Sequence, residues 1–418
     1  MAQPGFITVR YIRYLARFKL TPYGRILIML TCFAAIGSIT VEIPIYQIFC
    51  ALFFLPAAAE FVGTLLRPRL DVNCQVSGRA TAGVPLQGVA YVRNRGYWTA
   101  FDLMAGFFRI DRSIRHVDAD RVVASLGPDR DAEIAFELLP TRRGVLQLGS
   151  VNIHSTFPFN LMRFGGGECP LPTLTVIPAY ESLDHFEVPY GLCGRPKHPA
   201  PLLGAKGESP EYVGNREYVQ GEAAVRLDFR AWARLGRPVV REYQDEYSFR
   251  SALILDTFQP ALTGFSRFRA PDEELATQFE AATSLTAAVA EALHGRDIVI
   301  DLFVAGPEVF LFRTPNSESR LDTVLELLAS VETTTDDPMQ VLPLPLMETL
   351  ESISSIVIVL LNWDERRQTL VNQIRESGRG VRVLLIREHA PSTILPEDSL
   401  EFQVIAPAQI SRGEIRSL

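Results

Sequence analysis

Three kinds of hydrophobic patterning follow one another along the chain. Residues Ile26 to Val41 carry no charge; past Glu42 and Pro44 a second apolar run goes from Ile45 to Ala59 and resumes beyond Glu60 to Leu66. Each run is slightly short of the ~20 residues that cross a bilayer. Backbone left in lipid must satisfy its own hydrogen bonds, so the pattern predicts two antiparallel membrane helices over 26–66, with a tight turn at Glu42-Ile43-Pro44. Arg10, Arg13, Arg17, Lys19 and Arg25 precede the first run, Arg67 and Arg69 follow the second, and the turn holds only an acid. By the positive-inside rule, the basic tail 1–25 and everything after residue 66 face the cytoplasm. Two other readings compete: a cleavable signal peptide with its apolar core at 26–38, and a buried pair of core helices. The second apolar run, following at once, argues against the signal peptide.

From Asp71 to about Pro178 the period is two: Val72, Cys74, Val76; Val89, Tyr91; Ile134, Phe136, Leu138; Val151, Ile153; Leu174, Val176. Turn signals at Asn94-Arg95-Gly96, Gly127-Pro128 and Arg143-Gly144 separate these runs, which predicts a β-sandwich over 70–179. Gly165-Gly166-Gly167 lacks the spacing of a dinucleotide loop and reads as a flexible loop. His116 and His154 are isolated and read as surface or core residues. Residues 180–210, rich in Pro and Gly, read as a linker or exposed loop.

The C-terminal part, 251–418, alternates strand and helix. "SALILD" (251–256), "DIVIDLFVAG", "EVFLFRT", "SSIVIVLL" (354–361) and "VRVLLI" (381–386) are strand-like. Helices are predicted from Asp272 to His294, from Ser317 to Val331, around Met347 to Ile353, and from Asp364 to Ser377 with Gly378 ending it. Continuous Val/Ile/Leu strands between helices predict a mostly parallel sheet covered on both faces. Ligands in such folds sit at the carboxyl ends of the strands, where Asp256 and Asn362-Trp363-Asp364 fall.

Between sandwich and sheet lies a charged block, 211–250, whose densest part is "REYVQGEAAVRLDFRAWAR" (216–234). Residues 208–250 hold eight acids and seven arginines. A phosphate or nucleic-acid site would show excess positive charge, whereas near balance predicts Arg–carboxylate forks satisfying one another. Two readings stand: an ion-paired seam joining sandwich to α/β domain, or a docking surface left partly open for an acidic partner. The whole chain, at −7 and pI near 5.6, is likewise unsuited to nucleic acid. Five cysteines without CxxC spacing suit a reducing compartment and no structural disulfide. The six histidines show no HExxH spacing, there is no GxSxG, and neither Lys197 nor Lys206 follows a phosphate-loop glycine, so no catalytic residue is assigned. A hydrolase-like membrane enzyme built from dispersed residues is the alternative.

The order of these pieces, with the block Arg216-Glu217-Tyr218, Gly221-Glu222, Arg226-Leu227-Asp228-Phe229-Arg230 and Ala233-Arg234, resembles the "domain of unknown function 58" family of bacterial membrane proteins. A second block, Phe157-Pro158-Phe159-Asn160-Leu161-Met162, is similar to that family's Asp-Pro-Phe-Gly-Leu-Phe and follows a similar Arg143-Gly144 turn. Phe229, Glu222 and Asn160 depart from the usual tryptophan, aspartate and glycine. The resemblance implies a two-pass protein of the bacterial inner membrane with its soluble part in the cytoplasm. It also implies a von Willebrand factor A-like α/β domain. The partners it implies are the membrane and proteins, a MoxR-type AAA+ ATPase and other von Willebrand A proteins among them, and no nucleic acid. The A-domain metal site needs Asp-x-Ser-x-Ser, because a hard divalent cation wants carboxylate and hydroxyl oxygens. Here the loop reads Asp256-Thr257-Phe258-Gln259-Pro260, with both serine positions lost. Asp256 is therefore expected to be a helix-capping or ion-paired remnant, with no metal or other cofactor. The implied role is a non-catalytic scaffold or adaptor.

Overall fold

The computed structural model describes residues 18–37, 45–108, 110–118, 121–189, 211–219, 227–244, 249–259, 271–305, 309–313, 320–388 and 401–418. The expected turn at 42–44, the basic positions Arg10, Arg13 and Arg17, and Gly221, Glu222 and Arg226 of the charged block lie outside these residues. Two compact units divide the chain, Met1–Ala179 and Tyr180–Leu418.

The first unit opens with two apolar helices, α1 (Pro22–Gly37) and α2 (Ile45–Leu65). Over Tyr46–Leu65, α2 is long and apolar enough to cross a membrane; α1, at 16 residues, is shorter than a full span. The Thr31 hydroxyl of α1 lies within hydrogen-bond distance of Leu27 O at 2.8 Å and of Leu52 O of α2 at 3.3 Å. Proline at the first position of α1 is pre-set for a helix start. The buried Thr21 ahead of it accepts the Gly24 N–H at 3.1 Å.

Eleven strands follow: β1 (Leu70–Val76), β2 (Arg79–Thr81), β3 (Leu86–Asn94), β4 (Ala100–Phe107), β5 (Ile114–His116), β6 (Val122–Leu126), β7 (Asp131–Pro140), β8 (Gly144–Gln147), β9 (Ser150–Ser155), β10 (Phe164–Pro170) and β11 (Thr173–Ile177). They form sheets ordered β1-β3-β7-β5, β10-β9-β4-β6 and β2-β11-β8. The period-two reading holds in β7, where Ile134, Phe136 and Leu138 point inward. These three share one buried cluster with Ala90 and Val92 of β3, Leu103 of β4, Val151 and Ile153 of β9, and Leu174 and Val176 of β11.

Gly165-Gly166-Gly167 is not a loop. It lies in β10, where the pairing with β9 shifts register between Phe164 and Gly167. A Cβ on Gly167 would meet Val72 Cγ2 at 2.2 Å and one on Gly165 would meet Pro68 at 2.6 Å, so the missing side chains let β10 lie against the start of β1.

The segment 157–162 has a structural task. Leu161 and Met162 run against the residues that enter α1: Leu20 bridges Met162, Thr21 N–H donates to Leu161 O at 3.1 Å, and Arg163 N–H donates to Lys19 O at 2.8 Å. The Arg163 guanidinium donates to Phe18 O at 3.1 Å and Leu20 O at 2.8 Å. A Cβ on Gly24 would sit 2.0 Å from Leu161 O. The first turn of α1 is thus pinned to the strands' loop. Gly24→Ala is expected to cost about 1–3 kcal/mol, read as a lower thermal midpoint and faster amide exchange at Thr21.

His154 on β9 is buried beside this contact, its Nδ1 3.2 Å from Asn152 O and its ring 5.7 Å from Phe108. Burial, followed by the nearby Arg163 charge, lowers its pKa from 6.5 to about 4. The unfolded chain takes up this proton near pH 6.5 and the folded one only near pH 4. The stability His154 confers is therefore complete above pH 6.5 and is lost as the pH falls from 6.5 to 4. The expected loss is about 3 kcal/mol. Unfolding curves of the wild type against His154→Gln should differ in slope across that window and run parallel above it.

In the second unit, β12 (Glu211–Glu217) and β13 (Val239–Gln244) pair antiparallel, with the short helix α3 (Phe229–Leu235) between them in sequence. The main sheet contains β14 (Arg250–Asp256), β15 (Val299–Ala305), β16 (Val309–Arg313), β17 (Ser355–Leu360), β18 (Gly380–Ile386) and β19 (Phe402–Ile405), ordered β16-β15-β14-β17-β18-β19. All its pairings are parallel except that of β16, the antiparallel edge. The central β17 is buried at every position, which is why it reads as an unbroken apolar run. Helices α4 (Pro271–His294), α5 (Arg320–Ser330), α6 (Pro343–Thr349), α7 (Glu365–Glu376) and α8 (Pro407–Ser411) complete the unit.

Two expectations are corrected, and two elements are new. The helix placed around Met347 to Ile353 begins at Pro343 and gives way to a 3-10 turn over Leu350–Ser352, because proline favours the first helical turn. Strand β19 and helix α8 were not foreseen. The segment 180–189 is not an exposed linker: Phe186 and Val188 are buried. Glu187 N–H donates to Leu418 O at 2.7 Å, and Arg382 donates to Glu187 O at 2.8 Å.

Candidate functional site

The carboxyl edge of the parallel sheet carries a buried charge cluster. Asp256, the last residue of β14, is fully buried. The chain beyond it is held by a short zipper: Thr334 N–H donates to Thr257 O at 2.9 Å and Gln259 N–H to Thr334 O at 2.8 Å. This brings in Asp337, whose Oδ1 accepts the Met339 N–H at 3.2 Å and so starts a 3-10 turn. From the next strand over, the loop after β17 ends at Asp364, which caps α7 by accepting the Arg367 N–H at 2.9 Å.

Arg367, in the first turn of α7, points into the space these three acids enclose. Its guanidinium places Nε and NH2 each 2.8 Å from Asp256 Oδ2, and NH1 2.5 Å from Asp364 Oδ2. Asp337 Oδ1 lies 3.8 Å away, and the Phe258 ring faces the guanidinium at 5.5 Å. Arg366 takes the other Asp337 oxygen at 2.6 Å. Burial pushes the Asp256 carboxyl above the usual carboxylate range, and Arg367 opposes that push. The three acids hold the Arg367 guanidinium charged in spite of its burial. Because arginine keeps its proton, the balancing cation of this edge is a covalent part of the chain. Among the described residues no three His, Cys, Asp or Glu side chains are grouped to hold a metal ion.

Asp256 and Asp364 were singled out from the sequence; Arg367 and Asp337 were not. One signal was available for Arg367. A cation in a helix's first turn opposes the macrodipole, so an arginine there calls for nearby acids. Asn362 accepts from Arg387 at 2.7 Å and Trp363 is buried against Phe402.

The described part of the charged block lies within the second unit. Arg216 and Glu217 are on β12, their backbones opposite Val240 and Val239. Glu217 pairs with Arg237, both more than half exposed, which contributes little. Tyr218 N–H donates to Pro238 O at 3.1 Å. Asp228 caps α3: it accepts the N–H groups of Arg230 and Ala231, each at 3.0 Å. Gly236, at φ 69, closes the far end of α3 in the left-handed region and donates to Trp232 O at 2.9 Å. Of α3 only Ala231 is buried; Phe229 and Trp232 stack at 6.1 Å and stand 65% and 38% exposed. Arg230 and Arg234 are exposed and have no ion-pair partner among the described residues. Arg250, at the block's end, clamps the buried Asp301 at 2.7 and 2.9 Å.

No protein-family model and no curated protein matches the chain. Among solved structures, the CARDB domain of a Pyrococcus furiosus protein, crystallised with two metal ions, is 14% identical and covers 27% of this chain and 92% of its own, at a TM-score of 0.18. The family 20 exo-β-N-acetylglucosaminidase of Vibrio harveyi is 8% identical and covers 81% of this chain and 78% of its own, at a TM-score of 0.16. Likeness at that level defines neither fold nor activity.

Removing one partner of a buried ion pair leaves the other uncompensated. Arg367→Met is expected to lower stability by about 3–5 kcal/mol, and Asp256→Leu added to it should return much of the loss. Urea unfolding of the single and double variants checks this.

Proposed function

We propose that the protein is a membrane-anchored, non-catalytic adaptor of the domain-of-unknown-function-58 kind. It lies in the bacterial inner membrane as a two-pass hairpin and carries a β-sandwich and a von Willebrand A-like domain on the cytoplasmic side. There it binds protein partners, a MoxR-type AAA+ ATPase in first place. The observation that carries this reading is the outer face of α3. A helix capped at both ends holds Phe229, Trp232 and Leu235 in solvent beside Arg230 and Arg234. Apolar surface kept exposed on a pinned element is characteristic of an interaction site, and aromatic and arginine side chains are the usual centres of binding energy. The basic flank selects an acidic partner. The buried Arg367 supports binding without a metal, since a guanidinium already balances Asp256 and Asp364.

The test is an affinity capture of the detergent-solubilised, tagged protein followed by mass spectrometry, with Arg234→Ala and Trp232→Ala as comparisons. An AAA+ ATPase recovered with the wild type and reduced at least tenfold in both folded variants is the expected result. Equal recovery from all three would reduce α3 to a structural element, and turnover of any substrate lost in Asp256→Ala would replace the adaptor by an enzyme.

A further inference from the structure

A cleft of about 740 Å³ opens where α2 meets β1, lined by Leu65, Arg67, Arg69, Arg95, Tyr97 and Trp98 among others. Its chemistry is divided. Arg67 and Arg69 are exposed and have no ion-pair partner among the described residues, whereas Arg95 lies 3.5 Å from Asp71, itself exposed. Three guanidinium groups against one carboxylate leave the cleft basic. Beside them Tyr97 and Trp98 stand 88% and 66% exposed, and the exposed Leu65 continues the apolar surface of α2 into the cleft.

This arrangement is built rather than loose. Pro68 is buried between the two exposed arginines, so the bend out of α2 is fixed. Arg95 N–H donates to Arg69 O at 2.8 Å, tying the turn that carries the aromatics to the helix exit. Asn94, with no exposed surface, holds that turn from inside: its amide donates to Trp98 O at 2.8 Å and Leu126 O at 3.0 Å, and its Oδ1 accepts the Gly96 N–H at 2.9 Å. Two large aromatic rings are thus kept in solvent by a satisfied buried amide.

Amphipathic rings at the end of an apolar helix sit at the depth of lipid headgroups, and basic side chains just beyond such a helix attract anionic lipid. We infer that this cleft binds the headgroup of an anionic phospholipid: Arg67, Arg69 and Arg95 hold the phosphate, and Tyr97 and Trp98 border the glycerol and upper acyl chains. The inference rests on the membrane-anchored reading above. It adds a lipid-selective site to what would otherwise be a plain anchor.

The test uses the full chain in two arms. In the first, protein reconstituted in phosphatidylcholine vesicles is washed with alkaline carbonate. In the second, detergent-purified protein is titrated with dihexanoyl phosphatidylglycerol, dihexanoyl phosphatidylcholine or inorganic phosphate, and bound lipid is read by native mass spectrometry and by Trp fluorescence. Retention in carbonate, at least tenfold preference for phosphatidylglycerol over phosphatidylcholine, and no response to phosphate are expected. Arg67→Gln/Arg69→Gln should lower phosphatidylglycerol affinity about tenfold or more, from the usual contribution of two basic groups at an anionic surface, without moving the thermal midpoint of the lipid-free protein. Trp98→Ala should weaken both lipids alike and abolish the fluorescence response. Extraction by carbonate would overturn the anchor and this inference with it. Retention combined with equal affinity for the two lipids, with unchanged affinity in the double variant, or with phosphate matching the lipid, would overturn this inference alone.

Discussion

A guanidinium buried among carboxylates cannot give up its proton, and the carboxylates around it cannot be left unpaired without a cost of several kcal/mol. The cluster centred on Arg367 therefore constrains the carboxyl edge of the second unit where β14 and α7 meet. It fixes the exit of β14 through Asp256, the start of α7 through Asp364 and the 3-10 turn at Asp337, and it is roofed by Phe258. The four residues come from three separate segments of the chain, so the cluster acts as a tie between them. In open α/β sheets this edge is where ligands usually bind. Here the protein's own cation lies between Asp256 and Asp364 and makes a structural joint of that position.

The same economy recurs in the first unit, where tight backbone approaches do the joining. Gly24 against Leu161 and Gly167 against Val72 are contacts that any side chain would prevent, and Arg163 spans from the strand loop to the residues before α1. The apolar helices therefore grow out of a pinned base rather than a flexible tether. Such a base is what allows Arg67, Arg69 and the Tyr97-Trp98 turn to hold a fixed arrangement at the helix exit.

Both units keep apolar surface in solvent on elements that are locally over-determined, α3 by its two caps and the 94–98 turn by Asn94. The first was partly visible in advance. The Phe229–Trp232 spacing and the surrounding arginines stood out as a dense block, although balance of charge suggested that its members would neutralise one another. The described residues divide that block's work more finely. Asp228 caps, Glu217 meets Arg237, Arg250 reaches Asp301, and Arg230 and Arg234 stay in solvent. Counting charges over a segment cannot separate these roles, because a count does not show which acid also caps a helix or which base reaches outside the segment.

Periodicity by itself determined the apolar helical stretches, the alternating strands of the first unit and the parallel sheet of the second, since burial on one face or both writes its period directly into the chain. It also marked Asp256 and Asp364, because strand ends and helix caps have local signatures. Tertiary structure alone decided that three glycines belong to a strand, that residues 180–189 pack within the second unit, and that an arginine in a helix's first turn meets an acid more than a hundred residues away. The reason is common to all three: close approach and charge pairing depend on which distant segments meet, and a meeting across the fold leaves no period in the sequence.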